Sequence, residues 1–185
     1  RIISIKEKRP LTPSEENRFM AALQNARMAC DAAGLVDGET EGSPKLDELE
    51  NLLEEICVES GEKVVIFSQW ERMTRMAKAV TEKLGLGVVR LHGGIPTEKR
   101  GALISKFEND AGVQVFLSTD AGGVGLNLQA AKVLINLDLP FNPAVLNQRI
   151  GRVHRLGQRD TVRAIMLVAE ESYEARIKDT LGSKM

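Results

Sequence analysis

Short apolar runs rich in β-branched residues alternate with longer stretches of helical periodicity beyond Gly61. Each run predicts a buried strand, and a helical stretch between two runs predicts a βαβ unit. Because the strands of a βαβ unit are parallel, the pattern predicts an α/β fold with a mainly parallel sheet and helices on both faces. The expected strands are residues 63–68, 87–91, 113–118, 133–137 and 161–168. The expected helices are residues 71–84, 96–109, 142–154 and 170–181.

The N-terminal segment carries a strong helix-start signal. Thr12 suits an N-cap, Pro13 suits the first helical position, and Glu15 lies three residues after the cap, as in a capping box. We expect the helix to run to about Ala33 and to end at Gly34, because glycine readily adopts the left-handed conformation that follows many helices.

A polar stretch over residues 37–42 separates this helix from the main domain. Its glycines and charged residues predict a flexible connection, and Ser43 followed by Pro44 predicts the start of the next helix. We therefore expect two parts in the chain. Residues 1–42 form a strand remnant and a helical extension, and residues 43–185 form the α/β domain.

Charge is unevenly distributed along the 185 residues, although the net charge is only −1. Ten acids lie between Asp37 and Glu62 against one lysine, whereas residues 147–159 contain four arginines and no acid. The acidic segment should repel phosphate, and the arginine segment should attract it.

Cysteine usage and hydropathy exclude several classes of protein. Cys30 and Cys57 lie in no metal-binding pattern, so we expect reduced thiols and no metal site. No apolar run reaches the roughly 18 residues that span a membrane, and no secretory leader is present. These features predict a protein of the cytoplasm, or of the nucleus in a eukaryote, with no membrane partner.

The loop over residues 118–127 begins with two hydroxyl side chains at a predicted strand end and continues with three glycines. Backbone amides without side-chain bulk can approach phosphate oxygens, and hydroxyl groups can add hydrogen bonds. Taken alone, the pattern fits a tight strand-to-helix turn equally well.

Arg149, Arg152 and Arg155 recur at three-residue spacing, which places them on one face of a helix. No carboxylate lies within four residues of this stripe along the chain. A solvated basic face is one interpretation, but unpaired arginines after a Gly-rich loop favour bidentate recognition of phosphate.

The same segments resemble the conserved motifs of superfamily-two helicases of the Swi/Snf group, in the order and spacing of that family. Residues 148–155 are similar to the last motif, in the His-Arg-Leu-Gly-Gln context of Swi/Snf proteins. The other similar segments are residues 65–70, residues 91–94 with Arg100, residues 118–128 and residues 138–143. The chain is identified as the C-terminal lobe of a Swi/Snf-type ATPase, which implies a RecA-like three-layer sandwich.

Two motifs differ from the eukaryotic pattern of this family. Gln-Arg-Ile-Gly-Arg stands in place of Gln-Ala-x-Asp-Arg, and His-Gly-Gly stands in place of Asp-Gly-Ser. Both are similar to bacterial members, including RapA-like ATPases that act on RNA polymerase. The resemblance therefore implies RNA polymerase or another DNA-bound complex as the object that is remodelled.

In this family, ATP and Mg²⁺ lie between two RecA-like lobes, and the first lobe supplies most of their contacts. This sequence has no Walker A pattern, and we interpret its acidic run at residues 47–50 as a solvated helix face and not a Walker B box. We therefore expect a second lobe that is inactive alone and has the first lobe of the parent chain as its partner.

The resemblance makes Arg152 and Arg155 catalytic at the γ-phosphate, with Arg155 as the leading arginine finger. It implies nucleotide contacts for Gly123, Gly125, Asn127 and Gln148.

On the nucleic-acid side, the family places the sugar-phosphate backbone of double-stranded DNA against several strand-end loops. The corresponding residues are Ser68, Gln69, His92, Gly93, Arg100, Ser118 and Thr119. Since Thr119 belongs to the DNA side and Gly125 to the ATP side, one loop can couple the two ligands.

Three other functions are compatible with parts of the sequence. A lobe of an RNA helicase has similar motifs, and RNA would then be the activator. A non-catalytic docking domain would keep the fold without an ATPase partner. A Rossmann-type metabolite binder fits least, because no Gly-x-Gly-x-x-Gly follows the first expected strand.

Overall fold

The sheet is built from β1 Val64–Ser68, β2 Gly87–Leu91, β3 Val113–Thr119, β4 Val133–Asn136 and β5 Arg163–Met166. All neighbouring strands are parallel, in the order β2-β3-β1-β4-β5. The computed structural model describes residues 10–122, 126–154, 161–170 and 172. All five expected strands are confirmed, with ends that differ from the predicted ones by at most two residues.

The helices of the described residues confirm most of the helical predictions. They are α1 Pro13–Asp31, α2 Gly34–Asp37, α3 Pro44–Leu53, α4 Glu71–Lys83, α5 Thr97–Asn109 and α6 Pro143–Val153. α3 continues into a wider π-helical segment over Glu54–Glu59. The helix expected over residues 170–181 lies almost wholly outside the described residues.

α1 begins as its capping-box pattern predicts. The Thr12 hydroxyl accepts a hydrogen bond from the Glu15 N–H at 3.4 Å, and the Thr12 N–H donates to the Glu15 carboxylate at 3.0 Å. The predicted end is wrong, because the helix stops at Asp31 and Gly34 begins α2. Glycine is required at this point, since a Cβ on Gly34 would lie 2.0 Å from the Thr40 carbonyl oxygen.

The polar stretch after α2 is a hydrogen-bonded turn, in contrast to the flexible connection expected from its composition. The Asp37 carboxylate accepts from the Glu39 N–H at 2.9 Å and from the Thr40 N–H at 3.0 Å. Arg72 of α4 donates to the Gly38 carbonyl oxygen. The turn is therefore attached to the α/β domain.

Two cores lie on opposite faces of the sheet, because successive strand residues point to opposite sides. The face with Val64 and Ile66 is covered by α3, α4 and the residues after α1. The face with Val65 and Phe67 is covered by α5 and α6. The predicted helix, sheet and helix layers are confirmed by this arrangement.

The end of α1 packs against the α/β domain. Ala32 and Leu35 are buried in the same core as α3 and α4. The Lys45 ammonium donates to the Asp31 carboxylate at 2.8 Å and to the Leu137 carbonyl oxygen at 2.7 Å. A buried ion pair needs such additional hydrogen bonds to offset the loss of hydration.

Two kinds of feature are absent from the described part of the chain. No helix there is both long and apolar enough to cross a membrane. Nor do three or more His, Cys, Asp or Glu side chains come together there in a way that could hold a metal ion.

The two cysteines should differ in reactivity. Burial, and secondarily the charge of Glu62, raise the pKa of the Cys57 thiol to about 12, whereas Cys30 is partly exposed. Because the thiolate is the reactive form, we expect Ellman's reagent at about pH 8 to label Cys30 quickly and Cys57 only after unfolding in urea. The Cys30→Ser variant serves as the control and should show no fast phase. Two fast thiols in the native chain would be inconsistent with a buried Cys57.

Candidate nucleotide and nucleic-acid interface

The predicted binding loops lie together at the carboxyl edge of the sheet. Ser68 at the end of β1 pairs with Thr119 at the end of β3, and Leu91 at the end of β2 pairs with Ser118. Because the strands are parallel, the loops that follow them open on one edge. The predicted residues at this edge are Ser68, Gln69, His92, Gly93, Ser118 and Thr119.

The hydroxyl groups of the strand-end residues hold these loops in place. Ser68, Ser118 and Thr119 are 0%, 0% and 5% exposed. The Ser68 hydroxyl donates to the Asp138 carboxylate. The Ser118 hydroxyl donates to the Thr119 carbonyl oxygen at 3.0 Å, and the Thr119 hydroxyl accepts from the Gly122 N–H at 3.2 Å. Contact of these three residues with a nucleic acid stays a prediction, while their internal hydrogen bonds shape the loops.

The loop after β1 is fixed by one buried carboxylate. The Gln69 N–H donates to both Asp138 oxygens, at 3.1 and 3.0 Å. The Trp70 N–H donates to the Ser68 hydroxyl at 3.0 Å. Asp138 is therefore an anchor of the predicted nucleic-acid loop, although its side chain had no such role in the sequence prediction.

The loops after β2 and β3 touch each other. A Cβ on Gly122 would lie 2.9 Å from the His92 backbone, so only glycine permits this approach. Arg100 donates to the carbonyl oxygens of Ile95 at 3.0 Å and Gly93 at 3.5 Å. Arg100 thus braces the loop that contains His92 and Gly93, and its contact with a nucleic acid stays a prediction.

Arg149 is paired with two carboxylates, so the prediction that it is an unpaired arginine is wrong. It is 2% exposed, and its five N–H donors all form hydrogen bonds. Nε and Nη2 bind the Asp120 carboxylate at 2.7 and 2.9 Å, and Nη2 also binds the Asp138 carboxylate at 3.0 Å. Nη1 binds the Asn136 side chain at 3.1 Å and the Asp138 carbonyl oxygen at 2.9 Å. These four residues form the Arg149 cluster.

Arg149 carries a positive charge inside the protein and is paired there with two carboxylates. Burial disfavours the charged guanidinium, but the hydrogen bonds and charges of Asp120 and Asp138 outweigh burial and raise the pKa of Arg149 above its usual value. The cluster joins α6 to the loops that follow β3 and β4. Through Asp138 it also reaches the loop that follows β1.

The described members of the predicted nucleotide set lie at the end of α6. Arg152 is half-buried in the last turn, and Gln148, one turn earlier, is exposed. The Leu128 N–H donates to the Arg152 carbonyl oxygen at 2.8 Å, which places the exposed Asn127 beside them. The remaining members, Arg155, Gly123 and Gly125, lie outside the described residues.

A second polar cluster at the carboxyl edge was missed by sequence reasoning. The Asp31 carboxylate accepts from the Trp70 indole N–H at 2.7 Å. The Arg27 guanidinium donates to the Leu139 carbonyl oxygen at 3.1 Å and lies 4.4 Å from the centre of the Phe141 ring. No local pattern marks these contacts, because the hydrogen-bonded partners lie 39 and 112 positions apart in the chain.

This chain is similar to known proteins over most of its sequence. Residues 44–157 match the family model described as the helicase conserved C-terminal domain. The ATP-dependent helicase FUN30 of Saccharomyces cerevisiae is 33% identical over 178 residues, which cover 92% of this chain and 16% of that protein. The SWI/SNF-related matrix-associated actin-dependent regulator of chromatin subfamily A member 1 of Mus musculus is 33% identical over 185 residues, covering 92% of this chain and 18% of that protein. This chain thus spans less than a fifth of either relative.

The fold is similar to that of a solved ATPase core. The Sulfolobus solfataricus SWI2/SNF2 ATPase core in complex with dsDNA superposes with a TM-score of 0.82 at 27% identity, covering 98% of this chain and 39% of that chain. The predicted RecA-like architecture is confirmed by this likeness. The predicted affinity to bacterial RapA-like members is not confirmed by these matches.

Proposed function

Because the chain belongs to the helicase conserved C-terminal domain family and has SWI2/SNF2 ATPases as relatives, we propose that it is the second motor lobe of a DNA-dependent ATPase that translocates on double-stranded DNA. The observation that carries the proposal is the likeness, over 98% of this chain, to an ATPase core in complex with dsDNA. The first lobe would come from another part of a longer parent chain.

We assign the nucleotide to a cleft between this lobe and the first lobe, which would hold Mg²⁺ and most of the phosphate contacts. This lobe would supply Arg152 and Arg155, because fixed cations stabilise the charge that spreads over the γ-phosphate in the transition state. The described residues fit this role, since Arg152 is half-buried with the exposed Gln148 and Asn127 beside it. We expect no ATP hydrolysis without the first lobe.

We assign double-stranded DNA to the loops at the carboxyl edge. Gln69 and His92 are half-buried there, and Gly93 is exposed, so each can be reached from solvent. Such loops contact the sugar-phosphate backbone, which positions a duplex without reading its sequence. The proposed binding is therefore independent of DNA sequence.

Thr119 supports a coupling route between the two ligands. Its hydroxyl accepts from the Gly122 N–H at 3.2 Å, at the start of the Gly-rich loop assigned to ATP. Thr119→Ala removes this hydrogen bond, and we expect the stimulation of ATP hydrolysis by duplex DNA to fall about 3- to 10-fold. Thr119→Ser keeps the hydroxyl and should retain the stimulation. Steady-state hydrolysis with and without DNA checks this, and unchanged stimulation in the Ala variant would argue against coupling through this loop.

ATP hydrolysis by the complete parent chain tests the proposed function. It is measured without nucleic acid, with duplex DNA and with single-stranded RNA. Strong stimulation by duplex DNA is the expected result. Activation by RNA alone would instead assign the lobe to an RNA helicase, and no hydrolysis under any condition would favour a non-catalytic docking domain.

The remodelled object and the compartment belong to the same proposal. The departure of the arginine motif from the eukaryotic pattern supports the proposal that the motor displaces RNA polymerase or another DNA-bound complex. Such a motor would act in the cytoplasm of a bacterium or archaeon, or in the nucleus of a eukaryote.

A further inference from the structure

Two loops at the carboxyl edge are held by the last turns of α1. Asp31 accepts from the Trp70 indole in the loop after β1, and Arg27 donates to Leu139 in the loop after β4. We propose that the helical extension is a positioning element for these loops and that Asp31 is its main positioning residue. The inference rests on the proposed function, because DNA is the ligand assigned to Gln69, the neighbour of Trp70.

The Asp31 carboxylate is itself rigidly placed. It is 2% exposed and is shared between the Lys45 ammonium at 2.8 Å and the Trp70 indole N–H at 2.7 Å. Lys45 is held in turn by the Leu137 carbonyl oxygen at 2.7 Å. Hydrogen bonds to a buried charge are short and strong. The position of the indole is therefore tied to the position of α1.

The loop after β1 is consequently fixed at two points. Asp138 binds the Gln69 N–H at 3.1 and 3.0 Å from within the α/β domain. Asp31 binds the Trp70 indole from the extension. Gln69 lies beside both hydrogen-bonded contacts. Loss of the contact between Asp31 and the Trp70 indole would therefore let the Gln69 side chain shift relative to a bound duplex.

Arg27 gives the same helix a second attachment. Its guanidinium lies 4.4 Å from the centre of the Phe141 ring and 5.9 Å from the centre of the Trp70 ring, within the range of cation–π attraction. Most residues of α1 before Arg27 are exposed, so the attachment is concentrated at the end of the helix. One rigid helix thus connects the loops after β1 and β4.

Two variants of the complete two-lobe protein separate positioning from folding. Trp70→Phe keeps an aromatic ring but removes the N–H that Asp31 binds. Asp31→Ala combined with Lys45→Met removes the carboxylate without leaving a buried ammonium unpaired. Glu16→Ala, at an exposed position of α1, is the matched control.

Both variants are expected to raise the duplex DNA concentration for half-maximal ATP hydrolysis about 3- to 10-fold, as the loss of one hydrogen bond does. The rate at saturating DNA should stay within about two-fold of the wild-type rate, and Glu16→Ala should change neither value. Trp70 is the only tryptophan of the 185 residues, so its fluorescence reports the loop directly. In this chain, the double variant should shift the emission to the red and increase quenching by iodide.

An unchanged half-saturating DNA concentration in both variants, with wild-type hydrolysis still stimulated by DNA, would overturn this inference and leave the proposed function intact. A lower saturated rate without a change in half-saturation would also overturn it, because that pattern indicates a general structural role. Wild-type protein that duplex DNA does not stimulate would refute the proposed function, and this inference with it.

Discussion

Arg149→Ala is expected to lower the free energy of unfolding by about 3–5 kcal/mol. The substitution removes five hydrogen bonds and leaves the buried Asp138 carboxylate without its cation. The loss is large because an unpaired charge in a low-dielectric interior retains its desolvation cost. Urea unfolding followed by circular dichroism measures the change.

Two further variants serve as comparisons for the loss of stability in Arg149→Ala. Arg75→Ala breaks an exposed ion pair with Glu71 at 3.1 Å and should cost less than about 1 kcal/mol. Arg149→Lys keeps the charge but cannot reproduce the planar five-donor geometry, so it should lose most of the stability that Arg149→Ala loses. A loss in Arg149→Ala no larger than in Arg75→Ala would show that the Arg149 cluster does not stabilise the fold.

Arg152→Ala and Arg155→Ala are each expected to slow DNA-stimulated ATP hydrolysis by the two-lobe protein about 10³- to 10⁵-fold. The physical reason is the loss of a cation that we assign to a position beside the γ-phosphate, where negative charge spreads in the transition state. Arg152 lies half-buried in the last turn of α6, one turn from the exposed Gln148 that is assigned to the same proposed nucleotide site. The relevant quantity is kcat at saturating ATP and DNA.

The control for this prediction is an exposed arginine to which no nucleotide contact is assigned. Arg163 begins β5, and its exposed side chain lies 3.4 Å from Glu55. Arg163→Ala should retain the wild-type rate. If both Arg152→Ala and Arg155→Ala stayed within about tenfold of the wild-type rate, neither could be the arginine finger.

The strands and most helices could be predicted because their signals are local. β1 is buried at every position, as expected for a short apolar run in a sheet that is covered on both faces. Thr12 and Glu15 form the predicted capping box because both groups lie within one helical turn. The fold class follows from such periodicities without knowledge of any tertiary contact.

The polar clusters could not be predicted because their partners meet only in the folded chain. No carboxylate lies within four residues of Arg149 along the chain, whereas its partners Asp120 and Asp138 lie 29 and 11 positions away. Both aspartates lie within two residues of the ends of predicted strands that share the carboxyl edge. Because the ends of parallel strands meet at one edge, the predicted sheet indicated that the two aspartates lie close together, even though they are far apart along the chain.

The sequence also predicted where the strand-end serines lie better than it predicted which groups their hydroxyls would contact. Ser68 and Ser118 lie at strand ends, as expected, but their hydroxyls form internal hydrogen bonds. A strand-end hydroxyl in a parallel sheet can serve the loop or the ligand, and the sequence does not distinguish the two uses.

The claim that this lobe belongs to an ATP-driven motor on duplex DNA is tested most directly by displacement of the third strand from a DNA triplex. The complete parent chain is expected to displace that strand only when ATP is hydrolysed, and Arg155→Ala should abolish the displacement. Hydrolysis stimulated by duplex DNA without any displacement of the third strand would contradict translocation.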